Sequence, residues 1–291
     1  VDARFSSGES IQLYGIRSAM CVPLWRHRDD IIGVLFLDRT STDKPFTEDD
    51  LDLLFAIGNQ AAIGIQQSRL QEKIRQESQI RNNLMRFHSP AVVDMLMKQS
   101  YQSGGITLAT QEQKATVLFS DIIGFTKIAE RMHPSEVAQL LNDYFSRMTD
   151  IVFEHGGTLD KYIGDGIMAV FGAPFTREDD AKRAVMAGKK MLEEQTRFME
   201  ELPPERRFDI RVGINTGMVV AGNIGSIRRL DYTVLGDVVN VAARLETLAQ
   251  PNQILIGPET YQEVKDFFIT ESVGKKSLKG RETEVEIFQV L

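Results

Sequence analysis

Asp121 closes an apolar run in FSDIIGFT, and Asp165 sits between two glycines in KYIGDGIMAVF. Two carboxylates at neighbouring strand ends suit divalent cations, because hard Mg²⁺ takes oxygen ligands and keeps coordination positions open for substrate phosphates. The pair therefore points to phosphoryl chemistry. Either aspartate alone also reads as a turn or cap residue after a strand, and GDG alone is a common tight turn. Gly164 and Gly166 leave room for backbone to approach a phosphate. Lys161 precedes Asp165 by four positions, an even spacing that puts both side chains on one face of an extended strand. The alternative for Lys161 is an ion pair with Asp160 or a nearby glutamate in solvent. In LDYTVLGDVVNVAARLE, Asn240 and Arg244 are four apart on a helical segment, so they face the same way and aim an amide and a guanidinium at one ligand, or else form a surface pair. Lys275, Lys276, Lys279 and Arg281 in KKSLKGRE gather positive charge suited to a triphosphate, or to a polar hairpin.

The elements that must position these residues alternate in type. From about Lys114 onward, the strand-like ATVLFSD precedes the helical PSEVAQLLNDYFSRMTDIVFEHG. The hairpin GTLDKYIGDGIMAVFG and a helix from about Asp179 to Met199 follow. FDIRVGINTG and MVVAGNIG read as two strands about a glycine turn, then come YTVLGD, the helical VVNVAARLETLA, QILIG and VEIFQVL. The expected fold is α/β of the α+β kind, a mixed sheet with covering helices. No internal repeat or low-complexity tract suggests a solenoid.

Ahead of this region, IRSAMCVPLW and IIGVLFLD flank HRDD and predict a two-stranded hairpin. Thr47 with Asp50 predicts the start of a helix. Leu51, Leu54, Phe55, Gly58, Ala61, Ala62 and Ile65 recur at spacings of three and four, and no proline interrupts before Pro90, so one helix of roughly forty residues is expected. Its stripe thins through Ile74, Ile80, Leu84 and Phe87, with Glu77 and Arg81 at seam positions, so the coiled-coil pattern is imperfect. Acidic residues predominate over 1–68 and basic ones over 69–88. That shift predicts a helical connector beginning near residue 69, the alternative being a solvated helix packed on its own domain. Pro90, in PAVVDML, is expected to end the long helix and begin a short coupling element.

Length and composition bound the functional classes. The 291 residues with 42% apolar content bury a real core, which excludes a disordered or fibrous chain. The net charge of −7, with no pooled basic patch, argues against a nucleic-acid partner. The single cysteine, Cys21, cannot close an intrachain disulfide; its apolar run predicts an inert buried thiol in a reducing compartment, the cytoplasm. No apolar stretch reaches the length of a membrane span, and the first residues lack a signal peptide's regions. The chain begins without Met in what reads as a polar loop, so a segment of a longer protein is expected.

FSDIIGFT, KYIGDGIMAVFGAP, GINTGMVVAGNIGS and YTVLGDVVNVAARLE, in this order and at these separations, resemble the signature of class III nucleotide cyclase catalytic domains. The likeness runs from about residue 112 to 291 and is highly specific. Residues 1 to about 68 resemble, more loosely, the C-terminal half of a GAF domain. The resemblance implies a ferredoxin-like cyclase domain over 112–291, a partial GAF sheet-plus-helix over 1–68, and a coiled-coil-like connector over 69–111. It makes Asp121 and Asp165 metal carboxylates for two Mg²⁺ or Mn²⁺ ions, with the Ile122 carbonyl as a further ligand. It assigns Arg244 to transition-state charge on the α-phosphoryl group, Asn240 to the ribose, and Lys279, with Lys276 as competitor, to the terminal phosphates.

For base choice, the resemblance places Lys161 and Thr233 on the purine. Adenine offers an acceptor at N1 and a donor at N6, and guanine the reverse. Lys161 only donates, which suits adenine; Thr233 stands where many adenylyl cyclases carry Asp, and its hydroxyl can accept from N6 but can also donate. Guanine-selective members usually carry Glu at the position of Lys161. The implied activity is conversion of ATP to 3′,5′-cyclic AMP and pyrophosphate. In this family the site lies between two catalytic domains, so one chain holding every residue implies a homodimer, regulated through the GAF portion and connector by an unknown upstream ligand. The alternatives are a guanylyl or dual-specificity cyclase and a catalytically silent nucleotide-binding module. A palm-type polymerase or diguanylate cyclase shares the two-metal logic but would not predict the helix of Asn240 and Arg244.

Overall fold

The computed structural model describes residues 14–27, 30–40, 44–85, 89–103, 110–226, 229–278 and 284–291. The chain divides into two compact units, Val1–Asn82 and Asn83–Leu291.

In the first unit, β1 (Ser18–His27) pairs antiparallel with β2 (Asp30–Arg39), Val22 opposite Leu35. One face of this hairpin is covered by the N-terminal part of α1 (Glu48–Leu84). The helix starts where expected because Thr47 and Asp50 cap it reciprocally: the Asp50 amide donates to Thr47 Oγ1 at 3.2 Å, and the Thr47 amide donates to Asp50 Oδ2 at 2.9 Å. Leu54, Gly58 and Ala62, spaced by one turn, are its buried residues, and Gly58 lies against Val22 and Leu24. A Cβ on Gly58 would lie 3.0 Å from Val22 Cγ2, so the glycine sets how closely helix and hairpin pack. Leu51, Phe55 and Ile65, expected in the same stripe, are exposed, as are Leu70, Ile74 and Ile80 further along. Cys21 corrects the expectation of a buried thiol. Residues alternate across a strand, and with Val22 and Leu24 turned toward α1, Cys21 faces the uncovered side and is exposed.

The second unit opens with α2 (Pro90–Ser103), proline occupying its first turn where a missing N–H costs nothing. Its sheet follows the order β4–β5–β3–β6–β8–β10–β9, with β7 paired to β6. The strands are β3 (Thr110–Ile122), β4 (Thr158–Ile163), β5 (Gly166–Phe171), β6 (Ile210–Ser226), β7 (Arg229–Leu235), β8 (Ile254–Ile256), β9 (Thr270–Lys276) and β10 (Val285–Val290). The helices are α3 (Phe125–Ala129), α4 (Pro134–Glu154), α5 (Asp180–Glu201), α6 (Asp237–Leu248) and α7 (Pro258–Val264). The sheet is mixed: β6 and β8 run parallel, and the other pairs are antiparallel. The run β3–α4–β4–β5–α5–β6 with spatial order β4–β5–β3–β6 is the ferredoxin-like arrangement.

Alternation along β3 builds two cores. Leu118 joins Tyr144 and Met148 of α4 and Val185 and Met191 of α5 on one face. Val117 joins Val170, Val219, Val234 and Ala242 on the other, under α6. The strands expected about a glycine turn are one 17-residue strand, β6. Its glycines serve close packing instead: a Cβ on Gly213 would press into the backbone of Ala242 and Glu246, and one on Gly217 would meet Val238 Cγ2 at 2.7 Å. Among the described residues, no helix is long and apolar enough to cross a membrane.

Candidate active site

Asp121 stands at the end of β3, opposite Arg211 in the register with β6. The β4–β5 hairpin turns through Gly164 and Asp165, Gly164 adopting φ 64°, a left-handed conformation that suits glycine. A Cβ on Gly166 would sit 3.3 Å from Asp121 Oδ1 and 3.2 Å from the Ser120 carbonyl oxygen, so this glycine lets the hairpin turn lie directly against Asp121. The two carboxylates are thereby brought together. Burial pushes the pKa of Asp165 up, and the charge of Asp121 adds to the effect, while the backbone N–H groups of Asp165 and Ile122 oppose it. Because Asp165 lies in the turn and not on the strand, the even spacing from Lys161 does not put the two on one face.

The pair has a cationic neighbour that the sequence did not reveal. Arg211 Nη2 donates to Asp121 Oδ2 at 3.0 Å, Arg211 Nε faces Glu246 Oε1 of α6 at 2.5 Å, and Nη1 donates to the Thr247 carbonyl at 3.0 Å. Burial pushes Glu246 up, and Arg211 draws it back. Beneath the carboxylates, the phenol of Tyr144 is fully buried beside Ser120, and burial pushes its pKa up, with the charges of Asp121 and Asp165 adding to the effect. Two adjacent acidic side chains that repel each other, one already drawing a guanidinium, fit the demands of a divalent cation.

A second cluster lies further back on β4. The register between Leu159 and Lys161 slips by one residue, making Asp160 the extra residue of a bulge. Its side chain is only 3% exposed. Lys161 Nζ faces Asp160 Oδ1 at 3.2 Å, and Thr233 Oγ1 donates to Asp160 Oδ2 at 2.5 Å. The Val234 N–H also donates to this carboxylate, whose pKa burial pushes up. The ion pair offered above as the alternative for Lys161 is therefore formed, and the same carboxylate holds Thr233. Among the described residues, no hydrogen bond or ion pair joins this cluster to the carboxylate pair.

Asn240 and Arg244 lie one turn apart on α6, Asn240 exposed and Arg244 half-buried. The helix is held by its opposite side, where Val241, Ala242 and Leu245 are buried and the Val238 carbonyl accepts from Asn215 Nδ2 at 3.2 Å. Lys275 and Lys276 are exposed at the end of β9, opposite Glu286 and Val285. Lys279 and Arg281 lie outside the described residues. Sequence reasoning missed Arg211, Glu246, Tyr144 and the role of Asp160. All four depend on which strands and helices become neighbours, and only the position of Asp160 beside Lys161 was a usable signal.

Comparison with known proteins agrees with the fold. The family described as "Adenylate and Guanylate cyclase catalytic domain" matches residues 108–291, and the GAF domain family matches residues 1–65. Adenylate cyclase 1 of Rhizobium meliloti is 34% identical over 204 residues, 67% of this chain but 30% of that protein. The chain thus spans about a third of the length of such curated relatives, an adenylate cyclase of Mycobacterium tuberculosis being covered over 39% of its length. Among solved structures, the adenylyl cyclase CyaB from P. aeruginosa is 39% identical, with a TM-score of 0.60 over 63% of this chain and 96% of that one. The guanylyl cyclase Cya2 is 37% identical, with a TM-score of 0.57 over 62% of this chain and 92% of that one.

Proposed function

The chain belongs to the adenylate and guanylate cyclase catalytic domain family, and on that premise we propose that it converts ATP to 3′,5′-cyclic AMP and pyrophosphate at a site shared between two copies of itself. The observation that carries this reading is the juxtaposition of Asp121 with Asp165, together with a separate cluster presenting Lys161 and Thr233. Asp121 and Asp165, with the Ile122 carbonyl, would hold two Mg²⁺ or Mn²⁺ ions. Such ions, when bound, acidify the ribose 3′-hydroxyl and neutralise triphosphate charge. Lys161 donates to adenine N1, and Thr233 accepts from N6. Asn240 orients the ribose, and Arg244 meets the charge that develops on the α-phosphoryl group during in-line attack, a preorganised contact worth more there than in water. Lys279 is assigned to the terminal phosphates, with Lys276 as competitor.

Sharing of the site between copies is supported by the separation of the two clusters within one chain. Large apolar side chains also remain exposed next to the base residues: Tyr162 and Ile163 follow Lys161, and Leu235 lies two positions from Thr233. We assign residues 1–68 to a sensor portion, 69–111 to a connector and 112–291 to catalysis. The exposed stripe of Leu70, Ile74 and Ile80 suits pairing of connector helices between copies. Ser89, just ahead of α2, donates through Oγ to the Leu159 carbonyl at 2.9 Å, one residue from Asp160, which supports a coupling role for this segment. A guanylyl or dual-specificity enzyme is the second reading, favoured by comparable likeness to solved cyclases of both kinds.

The test measures cyclic nucleotide formed from ATP and from GTP with Mg²⁺ or Mn²⁺, using wild type, Asp165→Ala, Arg244→Ala and an equal mixture of the two variants. Activity with ATP that is lost in each variant and partly restored in the mixture is expected. No product from folded, dimeric wild-type protein would overturn the enzymatic reading in favour of a silent nucleotide-binding module.

A further inference from the structure

Base selection in this pocket depends on a hydroxyl that is ambivalent in isolation. A threonine hydroxyl has one hydrogen to give and two lone pairs to accept with, so Thr233 unassisted would serve adenine N6 or guanine O6 alike. Its surroundings remove that freedom. Thr233 is 7% exposed, and its Oγ1 lies 2.5 Å from Asp160 Oδ2, a spacing typical of a hydroxyl donating to a carboxylate. Asp160 is itself buried, at 3% side-chain exposure, and Lys161 Nζ faces its other oxygen at 3.2 Å. The Val234 N–H donates to it as well. With Thr233 and the Val234 N–H donating to it and the Lys161 ammonium paired with its other oxygen, the carboxylate acts as an acceptor, and the threonine hydrogen is committed to it.

We propose that Asp160 is the positioning residue for base selection: by taking the Thr233 hydrogen it leaves Oγ1 only lone pairs to offer the purine, and it holds the donor Lys161 beside that acceptor. The inference rests on the reading of Lys161 and Thr233 as base contacts. An acceptor next to a donor complements the N6 amino group and N1 of adenine. The same arrangement sets like against like for guanine, whose O6 accepts and whose N1 donates. The β4 bulge is what makes this possible, because it turns Asp160 inward while Lys161 keeps its place in the ladder opposite Met168.

The experiment compares kcat/KM for ATP and for GTP in wild type, Asp160→Asn, Lys161→Ala and Thr233→Val, all as the full chain and all checked by thermal melting. A carboxamide at 160 has nearly the same shape, but it can donate to Thr233, freeing the threonine hydrogen for guanine O6, and it gives up the ion pair with Lys161. The ATP:GTP ratio is expected to fall about tenfold in Asp160→Asn, most of the change lying in KM for ATP and in a gain for GTP. Addition of Thr233→Asp to Asp160→Asn supplies a carboxylate acceptor directly and is expected to restore the preference for ATP. A ratio within twofold of wild type in Asp160→Asn, when Lys161→Ala and Thr233→Val do lower it, overturns the proposal and leaves the base contacts standing. An unchanged ratio in Lys161→Ala and Thr233→Val overturns the base contacts and the proposal with them. Should Asp160→Asn fail to fold, Thr233→Asn asks the same question. In that variant the carboxamide introduced at 233 would donate its NH2 to Asp160 and leave its carbonyl oxygen for adenine N6, so retention of ATP preference supports the proposal, and collapse to the level of Thr233→Val overturns it.

Discussion

Gly213→Ala tests the claim that close packing of α6 on β6 sets the position of Asn240 and Arg244. A Cβ at this position would come within 2.7 Å of Glu246 Cα and press on the backbone of Ala242 as well. Carbon atoms pack at about 3.5–4.0 Å, and helix backbone cannot swing aside as a side-chain tip can, so α6 must withdraw by roughly 1 Å. Overpacking of this kind costs roughly 1–3 kcal/mol of stability. Asn240 and Arg244 travel with the helix, as does Glu246, which holds Arg211 against Asp121. Displacement by about 1 Å of groups that position a reacting centre costs on the order of a hundredfold in rate. Thermal melting and kcat/KM for ATP are the assays. Gly164→Ala is the comparison: its Cβ would meet nothing within 4 Å, and only the φ of 64° opposes it, for a stability cost of about 1 kcal/mol. Gly213→Ala protein that melts with wild type and retains kcat/KM within twofold would refute the reasoning.

Three other perturbations follow from the geometry. Asp121→Asn, which keeps the size of the side chain while halving the charge of the pair, is expected to lower kcat with ATP by about a hundredfold or more, with partial relief when Mg²⁺ is raised; steady-state kinetics across a Mg²⁺ series checks this. Glu136 caps α4 by accepting from the His133 amide and pairs with Arg206, and these contacts hold its pKa below the usual 4.5. A depressed folded-state pKa contributes stability above the unfolded value and loses it as pH falls through the folded one. Glu136→Gln should therefore lower the melting temperature at pH 7, with the difference closing as the pH is taken well below 4. Insertion of three or four residues between Arg69 and Leu84 rotates the exposed stripe of α1 relative to the catalytic unit, whereas seven residues nearly restore its phase. Cyclic AMP formation should change several-fold with the half-heptad insertion and return toward wild type with the full heptad.

Much of the architecture was legible because local patterns carried it. The reciprocal cap of Thr47 and Asp50 marks the start of α1, and the GDG turn joins the two strands it was expected to join. The glycines of β6 were misread as a turn because glycine signals both chain reversal and close approach, and sequence alone does not distinguish the two. Cys21 was misread because an apolar run does not reveal which face of a hairpin is covered. The even spacing of Lys161 and Asp165 misled for a related reason: the parity argument holds only while the chain stays extended, and it turns at Gly164.

What the sequence by itself determined are the properties that depend on neighbours along the chain: the start of α1, strand alternation, the placement of Asn240 and Arg244 one turn apart on a helix, and the residue types that phosphoryl chemistry requires. What only the tertiary structure decided are the contacts across the sheet. Arg211 reaches Asp121 because β3 and β6 share a register, and Thr233 reaches Asp160 although 73 positions separate them. The direction in which a threonine hydroxyl points is set by whichever acceptor folding places beside it, and no local pattern in the chain encodes that neighbour.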